Sequence, residues 1–168
     1  MLQSRQESAS VILLHPPKPS RLPQAPDNEP FVPAVERQLA ACRRYGARMA
    51  VLTVQLDGLA PLGQRHGLAV QQAVVDAAWQ RMRSRVRGVD HLVRVAVDTF
   101  GVALFSVGDS VLGPIEARLF DELSAPYRVG SLVVEVMAVT GALVWPSEAT
   151  SAEAVVQAAH ELRLAKMA

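Results

Sequence analysis

Apolar positions along this chain change their spacing several times, and each change marks an element. From Pro33 to about Tyr45, Val35, Leu39 and Cys42 recur at intervals of four and three, the period of one helix face. Pro33 suits the first turn of such a helix and Gly46 its end. Met49 to Leu56 is a short, mostly apolar run rich in β-branched residues, the pattern of a buried strand closed by Asp57-Gly58. Leu59 to about His66 reads as a short helix interrupted by Pro61 and Gly63. After Gly67 a long helix runs from Leu68 to about Val86, with Val70, Val74, Ala77, Ala78 and Met82 as its apolar stripe. Leu92–Val97 and Gly101–Val107 are apolar strands joined by a tight turn at Asp98-Thr99, apolar enough for both faces to be covered. Pro114 to Leu123 is helical, with Ile115, Leu119 and Leu123 on one stripe. Tyr127–Val129 and Leu132–Val136 suggest a second hairpin about Gly130-Ser131. The run continues to Trp145, with Gly141 inside it. Ser151 is the cap of a last helix, Ala152 to Ala168.

Strand, two helices, hairpin, helix, strands and helix in that order predict an α+β fold. Helices would flank a central, largely antiparallel sheet. The first helix would cover that sheet or pair with its copy in a dimer. Residues 1–30 read differently. Pro16, Pro17, Pro19, Pro23, Pro26 and Pro30 stand among polar residues, so this stretch predicts an extended, mobile tail. Within it Val11–Leu14 is either part of a leader without a role, or an added edge strand or docking segment for a partner. The domain proper is expected over 31–168.

At 168 residues the chain has room for one core, and 50% hydrophobic content supports it. A net charge of +1 gives no support to nucleic acid or a membrane surface as partner. No apolar run reaches membrane-spanning length, and four apolar residues are too few for a signal-peptide core, so a cytoplasmic location is expected. Cys42 is the single cysteine, which excludes an intrachain disulfide. His15, His66, His91 and His160 are scattered, so no Cys/His metal cluster, no Ser-His-Asp set and no cofactor site are expected. Positive charge is almost all arginine, the lysines being only Lys18 and Lys166. Arginine suits bidentate contacts to phosphate and guanine. Arg81, Arg83, Arg85 and Arg87 crowd the end of the long helix, where cations meet its negative pole and water.

Several strings in this order resemble the GGDEF domain of diguanylate cyclases, over roughly Phe31 to Met167. Gln55 to Gln64, then His66 to Gln72, stand where that family reads Asp-x-Asp-x-Phe-Lys-x-x-Asn-Asp and Tyr-Gly-His-x-x-Gly-Asp. Its signature loop aligns with Ala96, Val97, Asp98, Thr99 and Phe100. Val139 to Leu143 is similar to its Ser-Ile-Gly-Val-Ala, and Ala158 to Lys166 to its closing Ala-Asp-x-Ala-Leu-Tyr-x-Ala-Lys. The resemblance implies a nucleotide-cyclase-like fold. It also implies a chemistry, the joining of two GTP molecules with divalent ions held by carboxylates. Here the first metal carboxylate falls on Gln55, and the signature acids become Asp98 and Thr99. The signature glycines become Ala96 and Val97, the guanine-reading Asn and Asp fall on Gly63 and Gln72, and the phosphate-facing Lys falls on Ala60. Lys166 survives, and so does Asp57, which would serve equally as a helix cap. The expectation is a degenerate domain without catalysis.

Many members of that family carry an inhibitory product site, Arg-x-x-Asp, five residues before the signature loop. Arg87 and Asp90 stand in that register, and Arg118 matches a further arginine on the helix after the hairpin. An Arg fork bonds guanine O6 and N7 or a phosphate, and an Asp accepts from N1–H and N2–H. The same pair would equally make a surface ion pair of little energetic weight. His91 is either a base-stacking neighbour or a loop residue. Trp79, Trp145 and Phe100 are expected in the core and His66 in a structural role. The leading expectation is a receptor for cyclic di-GMP acting on an unidentified protein effector. The alternatives are a scaffold for dimerisation or docking without nucleotide, and a residual cyclase.

Overall fold

A computed structural model describes residues 30–108 and 110–168. The expectations for residues 1–29, the Pro-rich tail and Val11–Leu14 among them, lie outside the described residues. The elements are α1 (Phe31–Tyr45), β1 (Met49–Asp57), α2 (Leu59–His66), α3 (Leu68–Arg83), β2 (His91–Arg94) and β3 (Thr99–Phe105). They continue with α4 (Leu112–Ser124), β4 (Tyr127–Val129), β5 (Leu132–Val134), β6 (Met137–Trp145) and α5 (Ala152–Met167). This is the expected α+β class. Four strands lie in the order β2-β3-β1-β6 with every neighbouring pair antiparallel, and β4-β5 form a separate hairpin.

Strand alternation divides the core in two. On β1, Ala50, Leu52, Val54 and Leu56 face α2, α3 and α4, in a core that includes Trp79, Phe100 and Tyr127. Met49 and Val51 face the other way, onto Val35, Leu39 and Cys42 of α1 and Val155 and Ala159 of α5. Alpha-helical spacing therefore places α1 on its own domain, as one of the two expected arrangements. Thr53 and Gln55 share the α5 side of β1 by the same parity. Thr53 pairs with Gly101 on one neighbour and Gly141 on the other. A Cβ on Gly141 would lie 2.1 Å from the Ala159 carbonyl oxygen, and one on Gly101 2.6 Å from the Phe31 ring. Thr53 donates its hydroxyl to the same Ala159 carbonyl. Three small side chains in a row thus let two helices approach the sheet closely.

Several boundaries differ from expectation. α1 begins two residues before Pro33, because first-turn residues need no N–H partner and Ala34 N–H bonds the Pro30 carbonyl. α2 is not interrupted: Pro61 falls in its first turn, and Gly63 accommodates the side chain of Gln71. α3 stops at Arg83, where Ser84 closes it by returning its hydroxyl to the Arg81 carbonyl. β2 ends at Arg94 and β3 begins at Thr99, so the turn is Val95–Asp98 rather than Asp98-Thr99. Arg94 holds that turn by donating to the carbonyls of Ala96 and Val97. β3 stops at Phe105 and β5 at Val134, each two residues short of the apolar run. Arg81 is not a solvated terminal charge. Its guanidinium donates to the carbonyls of Glu122, Ala125 and Pro126 and lies 3.8 Å from the Tyr127 ring centre, closing the C-terminal end of α4. Gly46 and Ser151 do end α1 and start α5 as expected.

Candidate functional site

After α3 the chain turns through residues 84–90 into β2. Asp90 N–H bonds the Arg87 carbonyl, and this turn brings the backbone of Arg87 onto the Asp90 side chain. Asp90 is 4% exposed. Its Oδ2 accepts from Arg87 N–H at 2.8 Å and from Arg87 Nε at 3.1 Å. Its Oδ1 accepts from Arg87 Nη2 and from Phe105 N–H, each at 3.0 Å. Arg87 Nη2 also donates to the Phe105 carbonyl. Phe105 lies two residues beyond the last β2 pairing, so the two side chains supply the ladder bonds that β2 begins too late to make. The bond to Asp90 raises the pKa of the Arg87 guanidinium above its ordinary value.

Arg87 and Asp90 open onto a pocket of about 380 Å³ between the β3 end and α4. Val102, Leu104, Ile115 and Leu119 contribute apolar lining, and Arg118 of α4 also lines it. The three residues expected to bind a ligand therefore line one cavity, with a volume ordinary for small-molecule sites. Arg118 is exposed and makes no hydrogen bond or ion pair to any described residue. Arg85, a lining residue that the sequence reading assigned to the helix end, pairs with Glu122 at 2.7 Å. His91 is not a loop residue: it opens β2, and parity turns it toward α1, where it meets Arg37. It does not line this pocket.

The Val95–Asp98 turn sits at the other end of the hairpin. Its Asp98 carbonyl accepts from Leu56 N–H, which fixes the turn to β1. The Asp98 carboxylate accepts from Gln55 Nε2 at 2.8 Å and from Thr99 Oγ1 at 2.8 Å. Gln55 Oε1 in turn accepts from Arg163 Nη1. Arg163 is 3% exposed, and its Nη2 contacts His160 Nδ1. Burial lowers the Arg163 pKa, and the Asp98 charge opposes that shift. This group offers a divalent ion one carboxylate, with both oxygens engaged, beside a buried guanidinium. Those residues do not fit a metal ion, and no three His, Cys, Asp or Glu among the described residues form a metal-binding group.

The remaining positions of the resemblance are occupied in similar ways. Gln71 packs over Gly63, and Gln72 bonds Asp76 one turn along α3. Lys166 pairs with Glu116 at 2.8 Å, which also accepts from Thr140. Among the described residues Asp57 accepts only from its neighbour Gly58 N–H, and the N-cap of α2 is Gly58, so Asp57 is not the helix cap. His66 is exposed at the end of α2 rather than packed. Phe100 and Trp79 are buried together with ring centres 6.2 Å apart, whereas Trp145 is half-buried under Arg43. No described helix is long and apolar enough to cross a membrane.

A family model described as the diguanylate cyclase GGDEF domain matches residues 26–167. The bifunctional diguanylate cyclase/cyclic di-GMP phosphodiesterase MucR of Pseudomonas aeruginosa is 23% identical over 130 residues, which is 77% of this chain and 18% of MucR. The chain thus spans less than a fifth of that relative's length. A sensory box/GGDEF family protein of Caulobacter crescentus superposes with a TM-score of 0.76 at 21% identity, over 80% of this chain and 88% of that one. The GGDEF domain of DgcB from the same organism, solved in complex with c-di-GMP, superposes with a TM-score of 0.75 at 13% identity, over 82% and 80%. At these identities the likeness is one of fold.

Proposed function

We propose, from the premise that this chain belongs to the GGDEF domain family, that it is a non-catalytic receptor for cyclic di-GMP. The dinucleotide is held at the pocket framed by Arg87, Asp90 and Arg118. The observation that carries this reading is the meeting of those three residues at one cavity, although Arg118 is 28 positions from Asp90 in the chain. The apolar floor suits a base, and the arginines suit its phosphates. Absence of catalysis is supported by the opposite end of the hairpin. There Gln55 stands where the family keeps a metal carboxylate, and Asp98 is bonded to Gln55 and Thr99. With no reaction of its own, the domain passes its signal by contact with a protein effector.

A second reading has an observation of its own. The Arg87–Asp90 pair satisfies itself and the end of β3, as a purely structural clasp would. In that case the domain is a scaffold without nucleotide. Calorimetric titration with cyclic di-GMP separates the two. The receptor gives micromolar or tighter binding that is lost in Arg87→Ala and Arg118→Ala. A scaffold gives no heat at high protein concentration. Incubation with GTP and magnesium yields no dinucleotide under either reading, and turnover abolished by Asp98→Ala would establish an enzyme instead.

A further inference from the structure

The outer edge of β6 is closed along one half and open along the other. Backbone N–H and carbonyl groups alternate sides along a strand. Ala138 N–H points away from β1, since it donates to Ser124 Oγ of α4 at 3.0 Å. The same parity turns the groups of Thr140, Ala142 and Val144 outward. Beside Thr140, Lys166 of α5 meets Glu116 of α4 at 2.8 Å, and Thr140 donates to the same carboxylate oxygen. α4 and α5 lie on opposite faces of the sheet, so this contact straps the first half of the strand. The outward N–H and carbonyl groups of Ala142 and Val144 bond no described residue.

That open half is apolar on both faces. Ala142 and Val144 pack on the core under α3 and α4, Leu143 and Trp145 on the core under α1 and α5, and all four are half-buried. β6 carries no charged residue in its nine positions, although exposed edges are commonly blunted by charge or shortness. β2, the other edge, is four residues long and ends in exposed Arg94. A strand seated beside Ala142–Trp145 would have both faces covered, and such strands are apolar without alternation. Among residues 1–29 one run has that form and that length, Val11-Ile12-Leu13-Leu14.

We propose that Val11–Leu14 pairs with the open half of β6 as a fifth strand of the sheet. The fifteen residues 15–29 between this run and Pro30 span about 50 Å when extended. Phe31 packs on Gly101 of β3, and Gly101, Thr53 and Gly141 form one row across β3, β1 and β6. The seat beyond β6 is therefore three strand spacings away, about 15 Å, which leaves slack to pass around α5. A tether of this kind gives an effective concentration on the order of millimolar, an advantage that a second copy lacks. The seat shares no residue with the pocket of Arg87, Asp90 and Arg118, so it stands apart from the receptor reading.

Hydrogen exchange of single amides, followed by NMR on the full chain, tests the pairing. At a bare edge the Ala142 and Val144 amides exchange at rates close to those of solvated chain. Pairing should slow them by about tenfold or more. Ile12→Asp/Leu13→Asp should remove that protection, while the Gly141 and Leu143 amides, which face β1, keep theirs and report an intact sheet. Fast exchange at Ala142 and Val144 in the unmodified chain would overturn the proposal. So would protection that survives in the double variant, and protection that rises with protein concentration would give the edge to a second copy instead.

Discussion

Gln38 of α1 donates from Nε2 to the carbonyl of Val89 at 3.1 Å, inside the loop that carries Arg87 and Asp90. Gln38 is 7% exposed, and its Oε1 has no partner among the described residues. One residue earlier on the helix, Arg37 reaches His91 on the far side of Asp90. The first helix therefore grips the loop of the proposed site on both flanks.

Gln38→Leu tests that grip. The lost hydrogen bond costs about 1 kcal/mol, and removal of a buried unpaired oxygen returns a similar amount. The melting temperature should change little. Loosening of the loop should nevertheless weaken cyclic di-GMP by about threefold or more, since ordering it then falls on the ligand. Unchanged affinity would show that α1 does not set the loop.

Arg118 and Asp90 should separate binding from stability. Arg118→Ala removes a side chain without a partner among the described residues, so urea unfolding should shift by no more than about 0.5 kcal/mol while dinucleotide affinity falls at least about tenfold. Asp90→Ala leaves the Phe105 N–H and the Arg87 donors unpaired, and should cost about 2–4 kcal/mol of stability as well as affinity.

Removing Gln55 should be worse than removing the charge it serves. Gln55→Leu takes the oxygen acceptor of Nη1 from the buried Arg163 guanidinium and a donor from Asp98, a loss of about 3 kcal/mol. Arg163→Met deletes the charge together with its desolvation and should cost about 1 kcal/mol. Chemical denaturation of the two variants gives the order.

Tyr127 sets an alkaline limit. It is 1% exposed and donates to the Leu123 carbonyl at 2.6 Å. Burial raises its pKa above the ordinary value of 10.0, against the opposing charge of Arg81. Above pH 10 the unfolded chain loses this proton while the folded one keeps it, so stability is full below that point and falls as pH rises toward the folded-state pKa. Tyr127→Phe should make that slope shallower in denaturation curves, at a cost of about 1 kcal/mol at neutral pH.

Local pattern carried much of the fold, because period and caps are local quantities. Val35, Leu39 and Cys42 face the core as their spacing requires, and Ser151 accepts from Ala154 N–H. Val95 and Val97 look like strand residues but are 54% and 59% exposed, since the turn is held by Arg94 and not by burial. The candidate site was legible as far as residue type and register reach, in that Arg87, Asp90 and Arg118 line one pocket. Its long-range bonds were not. The bonding of Asp90 extends to Phe105, fifteen positions away, and the Gln55–Arg163 contact spans 108. Arg81 as the closure of α4 was hidden for the same reason, because its acceptors are carbonyls without side-chain signature.

Gly141→Ala should destabilise more than Gly101→Ala. The first places a methyl against backbone, 2.1 Å from Ala159 O and 2.3 Å from Arg163 N, where α5 must lift as a unit. The second meets the Phe31 ring, a side chain in the first turn of α1 that can tilt aside. Losses of about 3 kcal/mol or more against about 1–2 are expected in urea unfolding.

The row Gly101–Thr53–Gly141 then acts as a ruler. A helix seated against backbone at one strand position cannot slide, and a slip of one turn would carry Arg163 about 5.4 Å past Gln55. The segment between Trp145 and Ser151 consequently carries no burden of measurement. Residues inserted there should change the length of the approach without changing where α5 comes to rest.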